Sequence, residues 1–366
     1  GKAPLELKLY IAAVSSVYNM PPIPDHLMKP DHHPVLAVVE KHFSTIERVC
    51  IHHTQYEELM EQVCLAFSYI LGFARDYAPA SPVFVPMMKL MARCCEQHPQ
   101  PFYMGLIRSV IGFFAATGSD QLDAILVDLT GLFVTPIARH LAAATAGQGS
   151  ALAPPLNAAA YEMLGEALRH WNLALLALRA AQWLPETFDT TIEALPRLAE
   201  ENQAIHERTV CAMMRFVRNI LLWGDPETCK GEATPELLEL QKQAQALIVE
   251  RPLPRGPALQ RIVGAVARLL AAAAQNNPAK GEMVPGTAEV LRVLLAGPFQ
   301  YAASTGLPVA FRSLPAPLSA SMAEPDQQRL IQQLKMEKGD SRRFVRTIIG
   351  VAEKFAVRLK KAQFGG

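Results

Sequence analysis

The sequence predicts an all-α fold built from stacked pairs of antiparallel helices, and three observations lead to this fold class. Half of the 366 residues are hydrophobic while only 7% are aromatic, so leucine and alanine, both good helix formers, supply much of the apolar content. The alternation of β-branched and polar residues that is typical of strands is scarce. Apolar segments of similar length follow one another, separated by proline, glycine, aspartate and histidine.

Fifteen helices are predicted along the chain. They cover residues 4–18, 34–51, 55–77, 82–97, 101–117, 120–145, 156–183, 185–200, 202–223, 235–250, 256–276, 286–303, 307–320, 325–337 and 340–362. Loops are predicted near 146–155 and 275–286. Most prolines fall in loops or at helix starts, where the missing N–H costs little. Three fall inside helical patterns and are expected to bend them, namely Pro86, Pro136 and Pro196.

Helix pairs of this length recur at about 40 residues, which is the spacing of HEAT and armadillo repeats. Such repeats stack into a superhelical α-solenoid in which each repeat buries its apolar stripe against its neighbours and the inner helices line a concave binding face. We therefore predict a single solenoid over residues 1–366, closed by a capping helix at 340–362. The side of that helix away from its apolar stripe is basic, and it is interpreted either as the polar outer surface of a cap or as a partner site.

Charge and motifs argue against several functional classes. The net charge of +1 provides no overall field toward nucleic acid or a membrane surface. The sequence contains no glycine-rich phosphate loop, no nucleophile elbow and no Cys-x-x-Cys pair, and His206-Glu207 is followed by Val210 where a zinc protease has its second histidine. We therefore predict no enzyme activity, catalytic residue, cofactor or metal. Apolar stretches shorter than the ~20 residues that span a bilayer predict no membrane segment.

Six cysteines occur, and five of them lie within apolar helical patterns. Cys94 and Cys95 are adjacent and form a candidate redox pair. Their neighbours Met87, Met88 and Met91 favour the alternative, in which both thiols pack as small hydrophobic groups on a buried helix. This use of cysteine, together with a poor N-terminal signal peptide, fits the cytosol or the nucleus.

The segment HERTVCAMMRFVRNILLWG, residues 206–224, combines a buried stripe with a basic side. At 100° per residue one face collects apolar side chains at helical spacing, which are Val210, Met213, Met214, Val217, Ile220 and Leu221. Arg208, Arg215 and Asn219 fall nearly opposite, and Arg218 lies on the flank. These four residues are candidates for binding an acidic partner, and a solvated helix face is the alternative.

Several segments in sequence order resemble a known family. They are FYMGLIRSVIGFFA at 102–115, YEMLGEALRHWNLALLALRAAQWLPETFDTTIEAL at 161–195, RTVCAMMRFVRNILLWG at 208–224, LLAGPFQYAASTGLPVAFRSLP at 294–315 and RRFVRTIIGVAEKFAV at 342–357. Their order and spacing are similar to the C-terminal half of the importin-beta (karyopherin) superfamily, nearest to the SR-protein transportin and importin-thirteen group. The resemblance spans roughly residues 40–360.

The resemblance implies a HEAT-repeat nuclear transport receptor that shuttles between cytoplasm and nucleus and binds protein cargo on its concave face. It also implies contacts with the Phe-Gly repeats of the nuclear pore and control by the GTPase Ran in its GTP form. The main Ran contact of the superfamily lies in N-terminal repeats, which we expect upstream of this chain. Neither direct nucleic-acid binding nor membrane binding is implied. A HEAT-repeat scaffold for a multiprotein assembly, without a transport role, is the alternative function.

One stretch departs from the resemblance. In the SR-protein transportin an arginine-rich inner helix receives phosphorylated Ser-Arg segments, because guanidinium groups pair with phosphate in a bidentate manner. The matching stretch here is MEQVCLAFSYILGFAR, residues 60–75. Of the expected arginines only Arg75 remains, and it joins the candidate cargo-binding residues. We therefore expect a relative whose cargo differs from phosphorylated Ser-Arg proteins.

Overall fold

The computed structural model describes residues 33–114, 120–145, 154–170, 184–201, 203–222, 258–275, 281–296 and 299–364, together with residues 8, 11, 235, 238, 239, 242, 243, 245 and 246. Thirteen α-helices and two short 3-10 turns make up this part of the chain, and it contains no strand. The prediction of an all-α fold is confirmed.

The helices are numbered here in chain order. Their bounds are α1 Pro34–His52, α2 Glu57–Phe73, α3 Phe84–Gln97, α4 Pro101–Phe114, α5 Asp120–Thr145, α6 Pro154–His170, α7 Leu184–Glu201, α8 Gln203–Leu221, α9 Ala258–Gln275, α10 Met283–Ala296, α11 Gln300–Arg312, α12 Glu324–Glu337 and α13 Ser341–Phe364. Most agree with the predicted segments to within a few residues. Only residues 8 and 11 of predicted helix 4–18 are described, and residues 235, 238, 239, 242, 243, 245 and 246 of predicted helix 235–250 are described and helical. The end of predicted helix 156–183, residues 171–183, lies outside the described residues.

The predictions for 286–303 and 307–320 were wrong about where one helix ends and the next begins. The structure places the break between Ala296 and Phe299, and α11 continues through Gly306 and Pro308. Gly306 serves close packing rather than a break, because a Cβ atom there would lie 3.4 Å from Cγ1 of Val263 on α9. The sequence pair Gly-Pro at 297–298 is the better stop signal.

Both predicted loops also extend too far. Residues 154–155 begin α6, and residues 283–286 form the first turn of α10. The prolines in these turns do not end a helix, because the first turn needs no N–H from them. Pro86 likewise lies in the first turn of α3, whereas Pro136 and Pro196 are inside α5 and α7 as predicted. The rest of the loop predictions, 146–153 and 276–280, lies outside the described residues.

Contacts divide the chain into two compact units, Gly1–Arg139 with Arg169–Ala180, and His140–Leu168 with Ala181–Gly366. In unit 1, α1 packs on α2 and α3, and α4 packs on α2 and α3. Helices α2 and α4 approach closely, since a Cβ atom on Gly72 would lie 3.0 Å from Cζ of Phe113. Among these four helices, both pairs that are two apart are therefore in contact, together with the sequential pairs α1–α2 and α3–α4.

The cysteines of unit 1 lie in its core. Cys94 and Cys95 are each 1% exposed, and Met87, Met88 and Met91 are fully buried beside them on α3. The expectation that these thiols pack as hydrophobic groups is thus confirmed. Burial raises the pKa of the Cys94 thiol to about 11 and that of Cys95 to about 12, so both thiols are protonated at neutral pH.

In unit 2 the same alternation of contacts produces two rows of helices. The first row consists of α7, α9 and α11, in which each helix packs on the next. The second row consists of α6, α8, α10 and α13; α8 contacts α10 and α10 contacts α13, while α6 joins α8 through hydrogen bonds described below. Sequential helices α7–α8 and α9–α10 join the rows, and α12 packs against α10, α11 and α13.

One helix is longer and more apolar than the sequence analysis allowed. Residues Gln121–His140 of α5 form a 20-residue segment that is long and apolar enough to cross a membrane, and 72% of its apolar window is buried inside the protein. This corrects the expectation that every apolar stretch is shorter than ~20 residues. High burial of this kind is also what the core helix of a globular domain shows.

The closing helix α13 has the predicted two sides. Phe344, Ile348, Val351 and Phe355 are buried, whereas Leu359 is only half-buried because it lies in the last turns beyond the main packing contacts. The predicted basic side chains are all exposed, namely Arg342, Arg343, Arg346, Lys354, Arg358, Lys360 and Lys361. The single solenoid with a capping helix stays a prediction.

Candidate functional site

Helix α8 carries four of the five predicted cargo-binding residues, and its core side is larger than predicted. All six residues of the predicted stripe are at most 3% exposed. Thr209, Cys211, Ala212 and Phe216 are buried as well, because α6, α7 and α10 all pack on this helix. The ring of Phe216 lies 5.6 Å from that of Tyr161 and 6.3 Å from that of Phe188. Only a narrow polar strip of α8 reaches the surface.

Arg208 occupies one end of this strip and forms a bidentate ion pair with α6. Its Nε donates to Oε1 of Glu162 at 2.7 Å, and its Nη2 donates to Oε2 at 2.9 Å. The Arg208 side chain is 72% exposed and that of Glu162 is 21% exposed. The hydrogen bonds and charge of Glu162 raise the pKa of Arg208. The guanidinium group is thus accessible but already engaged in a fork-to-fork pair.

Arg215 lies two turns further along and makes the most solvent-exposed of these pairs. Its Nη2 is 3.6 Å from Oε2 of Glu282, and the two side chains are 62% and 77% exposed. The backbone around Glu282 is held separately, since its N–H donates to Oε1 of Glu207 at 2.8 Å. A Cβ atom on Gly281 would lie 2.8 Å from that same carboxylate oxygen, so a larger residue there would displace the Glu207 side chain.

Arg218 belongs to a denser cluster centred on Glu289 of α10. Its Nε is 3.9 Å from Oε2 of Glu289, which also accepts from Nη2 of Arg292 at 3.0 Å. Ser341, the first residue of α13, donates to Oε1 of Glu289 at 2.6 Å. Partial burial raises the pKa of Glu289, but the bond from Ser341 and the charges of Arg292 and Arg218 outweigh it, so the pKa lies below its usual value.

Asn219 makes a structural contact on the other flank. Its Nδ2 donates to the backbone carbonyl oxygen of Gly165 on α6 at 3.2 Å, and the side chain is half-buried. Nearby, Thr209 donates to the carbonyl oxygen of Pro154 at 3.0 Å. Both bonds join α8 to α6. Because the Asn219 amide is used in this way, it contributes less to the accessible surface than the sequence analysis expected.

Arg75, the fifth predicted residue, belongs to unit 1. It is exposed in the turn that follows α2, which ends at Phe73. The apolar side chains of the same segment are buried, namely Val63, Ala66, Phe67, Ile70 and Ala74. The structure therefore brings together Arg208, Arg215, Arg218 and Asn219 on one helix, with Arg75 outside that group.

The strip on α8 is better described as an interhelical ion-pair ladder than as an uncompensated basic face. The ladder runs across the second row of helices and consists of Glu162, Arg208, Arg215, Glu282, Arg218, Glu289 and Arg292. Sequence reasoning missed the glutamates, since Glu162 and Glu289 lie on other helices, Glu282 directly precedes α10, and only Glu289–Arg292 has a helical spacing that signals a pair. Whether the arginines bind a partner stays a prediction.

No metal-binding group forms among the described residues, as no cluster of three or more His, Cys, Asp or Glu side chains has suitable geometry there. Comparison with models of known protein families finds no match, and comparison with curated proteins finds none either.

Proposed function

We propose that the chain is an α-solenoid of helix pairs that binds protein ligands along the second row of helices and acts in nuclear transport. The observation that carries the proposal is that described helices two apart contact each other in both units, α1–α3 and α2–α4 in unit 1 and α7–α9, α9–α11 and α8–α10 in unit 2. Repeat proteins built from helix pairs have this contact pattern, because each pair buries its apolar side against the next pair.

The ligand face that we propose lies on the second row, where the ion-pair ladder reaches the surface. Arg215 is the residue there that can exchange its partner most easily. In the described part of the chain its one carboxylate contact is 3.6 Å long and highly exposed, whereas Arg208 is held by two short bonds and Arg218 is half-buried beside Glu289. An exposed, single ion pair contributes little stability, so a ligand carboxylate can replace Glu282 at small cost.

Arg215→Glu therefore separates binding from folding. We expect this variant to weaken the capture of acidic protein ligands by the full-length protein while leaving its helicity and melting temperature nearly unchanged. Arg215→Lys is the matched control, because it keeps the charge at the same exposed position. Equal ligand capture by Arg215→Glu and the unmodified protein would remove Arg215 from the proposed face.

The transport role rests on the resemblance of the ordered segments to the importin-beta superfamily, and a non-transport scaffold shares the same packing pattern. Binding to Phe-Gly-repeat peptides distinguishes the two functions. A transport receptor is expected to be retained on immobilised Phe-Gly peptides and to be lost when their phenylalanines are replaced by serine. A full-length protein that binds neither peptide, yet forms stable complexes with its partners, is a scaffold.

A further inference from the structure

The exposed face of α13 concentrates positive charge that the rest of the chain does not balance. Its 24 residues contain seven lysines and arginines and one acidic residue, Glu353. Since the whole chain carries +1, the residues outside α13 carry a net charge of −5. A basic helix on an otherwise acidic chain is a local electrostatic feature, and it is independent of the ladder on α8.

These cations share one side of the helix. At 100° per residue they fall within about 160° of the helical wheel, opposite the buried phenylalanines and Ile348. The span from Arg342 to Lys361 is about 28 Å at 1.5 Å per residue. Only Arg343 of the seven has a carboxylate partner in the described part of the chain, Asp340 at 3.3 Å. The remaining six are exposed and form no ion pair in that part of the chain, and Glu353 is the one acidic residue on the same arc of α13.

An apolar side chain lies in the middle of this basic face. Val357 is 52% exposed, and Lys354, Arg358 and Lys361 are within about one turn of it. A fully solvated capping surface gains nothing from a half-exposed valine at this position. A partner that brings both carboxylates and an apolar side chain would bury the valine and neutralise the surrounding lysine and arginine groups.

From these observations we propose that the exposed face of α13 is a docking surface for a short acidic protein segment with an apolar side chain seated on Val357. A membrane surface fits poorly, because the apolar side of α13 is already packed against α9, α10 and α12.

A long nucleic acid also fits less well than a short segment. The cationic stretch is only about 28 Å long, so a longer nucleic acid gains no further phosphate contacts from it. Between Arg342 and Lys361 the exposed arc has no aromatic side chain on which a base could stack. The surface is thus suited to a segment of about one helix length, and the proposal does not depend on a role in nuclear transport.

The test is fluorescence anisotropy with a labelled peptide of about 20 residues, which as a helix spans about 30 Å. Every fourth residue of this peptide is valine, and the residues between are glutamate. We expect submillimolar binding that weakens steeply with added salt, because exposed ionic contacts are screened within about 8 Å at physiological ionic strength. Labelled duplex DNA of similar length serves as the competing ligand, and we expect it to bind more weakly than the peptide.

Two triple variants make the test specific. Lys354→Glu with Arg358→Glu and Lys361→Glu reverses the centre of the face, and we expect peptide affinity to fall at least tenfold. The matched control reverses three exposed cations of unit 1, Lys41, Arg48 and Lys89, and thereby changes the net charge equally. We expect less than a twofold effect from the control. Circular dichroism confirms that both variants remain helical.

Val357→Ser tests the apolar contact separately. It is expected to lower the affinity for the valine-containing peptide about threefold, because part of a valine contact is lost. The affinity for a peptide with alanine in place of valine is expected to stay unchanged. Unchanged peptide affinity in the α13 triple variant, an equal loss in both triple variants, or tighter binding of duplex DNA than of the peptide would overturn the proposal.

Discussion

Reversing the charge of Arg218 should cost far more stability than reversing that of Arg215, although both lie on α8 three residues apart. The Arg218 side chain is 33% exposed and Glu289 beside it is 26% exposed, and the Nε atom of Arg218 is shielded from solvent. Arg215 and Glu282 are 62% and 77% exposed. Solvent therefore screens the Arg215–Glu282 pair much more than the Arg218–Glu289 pair.

The magnitude follows from the distance between the charges. Two unit charges 4 Å apart interact by about 1 kcal/mol in water and by about 4 kcal/mol at an effective dielectric constant of 20. Arg218→Glu replaces an attraction to Glu289, with a strength between these two values, by a repulsion. Arg292 stays 3.0 Å from Glu289 and offsets part of that repulsion. We expect Arg218→Glu to lower the free energy of unfolding by about 2 kcal/mol, and Arg215→Glu to lower it by less than about 0.5 kcal/mol.

Urea unfolding followed by far-ultraviolet circular dichroism measures both effects. The double variant Arg218→Glu with Glu289→Gln provides the control, because neutralising Glu289 removes the repulsion and should restore part of the lost stability. Equal destabilisation by Arg215→Glu and Arg218→Glu, or no recovery in the double variant, would refute the assignment of Glu289 as the partner of Arg218.

Three further predictions concern acid stability, thiol reactivity and the core. Since the pKa of Glu289 is lowered in the folded protein, its ionised form stabilises the fold above about pH 4.5. The difference in free energy of unfolding between the unmodified protein and Glu289→Gln should therefore become smaller as the pH falls below about 4.5, as measured by urea titration. Iodoacetamide at pH 8 should label Cys94 and Cys95 only after unfolding, as read by peptide mass spectrometry; rapid native labelling would contradict their burial. Phe216→Ala should lower the free energy of unfolding, measured in urea, by about 3–5 kcal/mol. Tyr301 is 82% exposed, so Tyr301→Ala should lower it by less than about 0.5 kcal/mol. Similar losses in both variants would contradict the packing of α8.

The sequence predicted buried stripes well because burial follows helical periodicity, which is a local property. All six stripe residues of α8 are buried, and the basic side of α13 is exposed as expected. The wider burial of α8 was missed, since Phe216 is covered by α6 and α7, whose positions depend on long-range packing.

The partners of the arginines were missed for the same reason. Glu162 and Arg208 are 46 residues apart, and no local pattern links them. The boundary between α10 and α11 was misplaced, since the predicted break at 304–306 lies inside α11, which runs from Gln300 to Arg312 with Pro308 inside it. Local propensity yields to tertiary contacts at such positions.

The central claim is that the chain belongs to a nuclear transport receptor that binds protein cargo, and the most direct test is cargo release by Ran. The full-length protein, immobilised and incubated with nuclear extract, is washed with Ran loaded with GTP or with GDP, and the bound proteins are quantified by mass spectrometry. We predict that the GTP form selectively changes the recovery of a specific set of partners. Identical recovery with both forms of Ran would contradict the transport function.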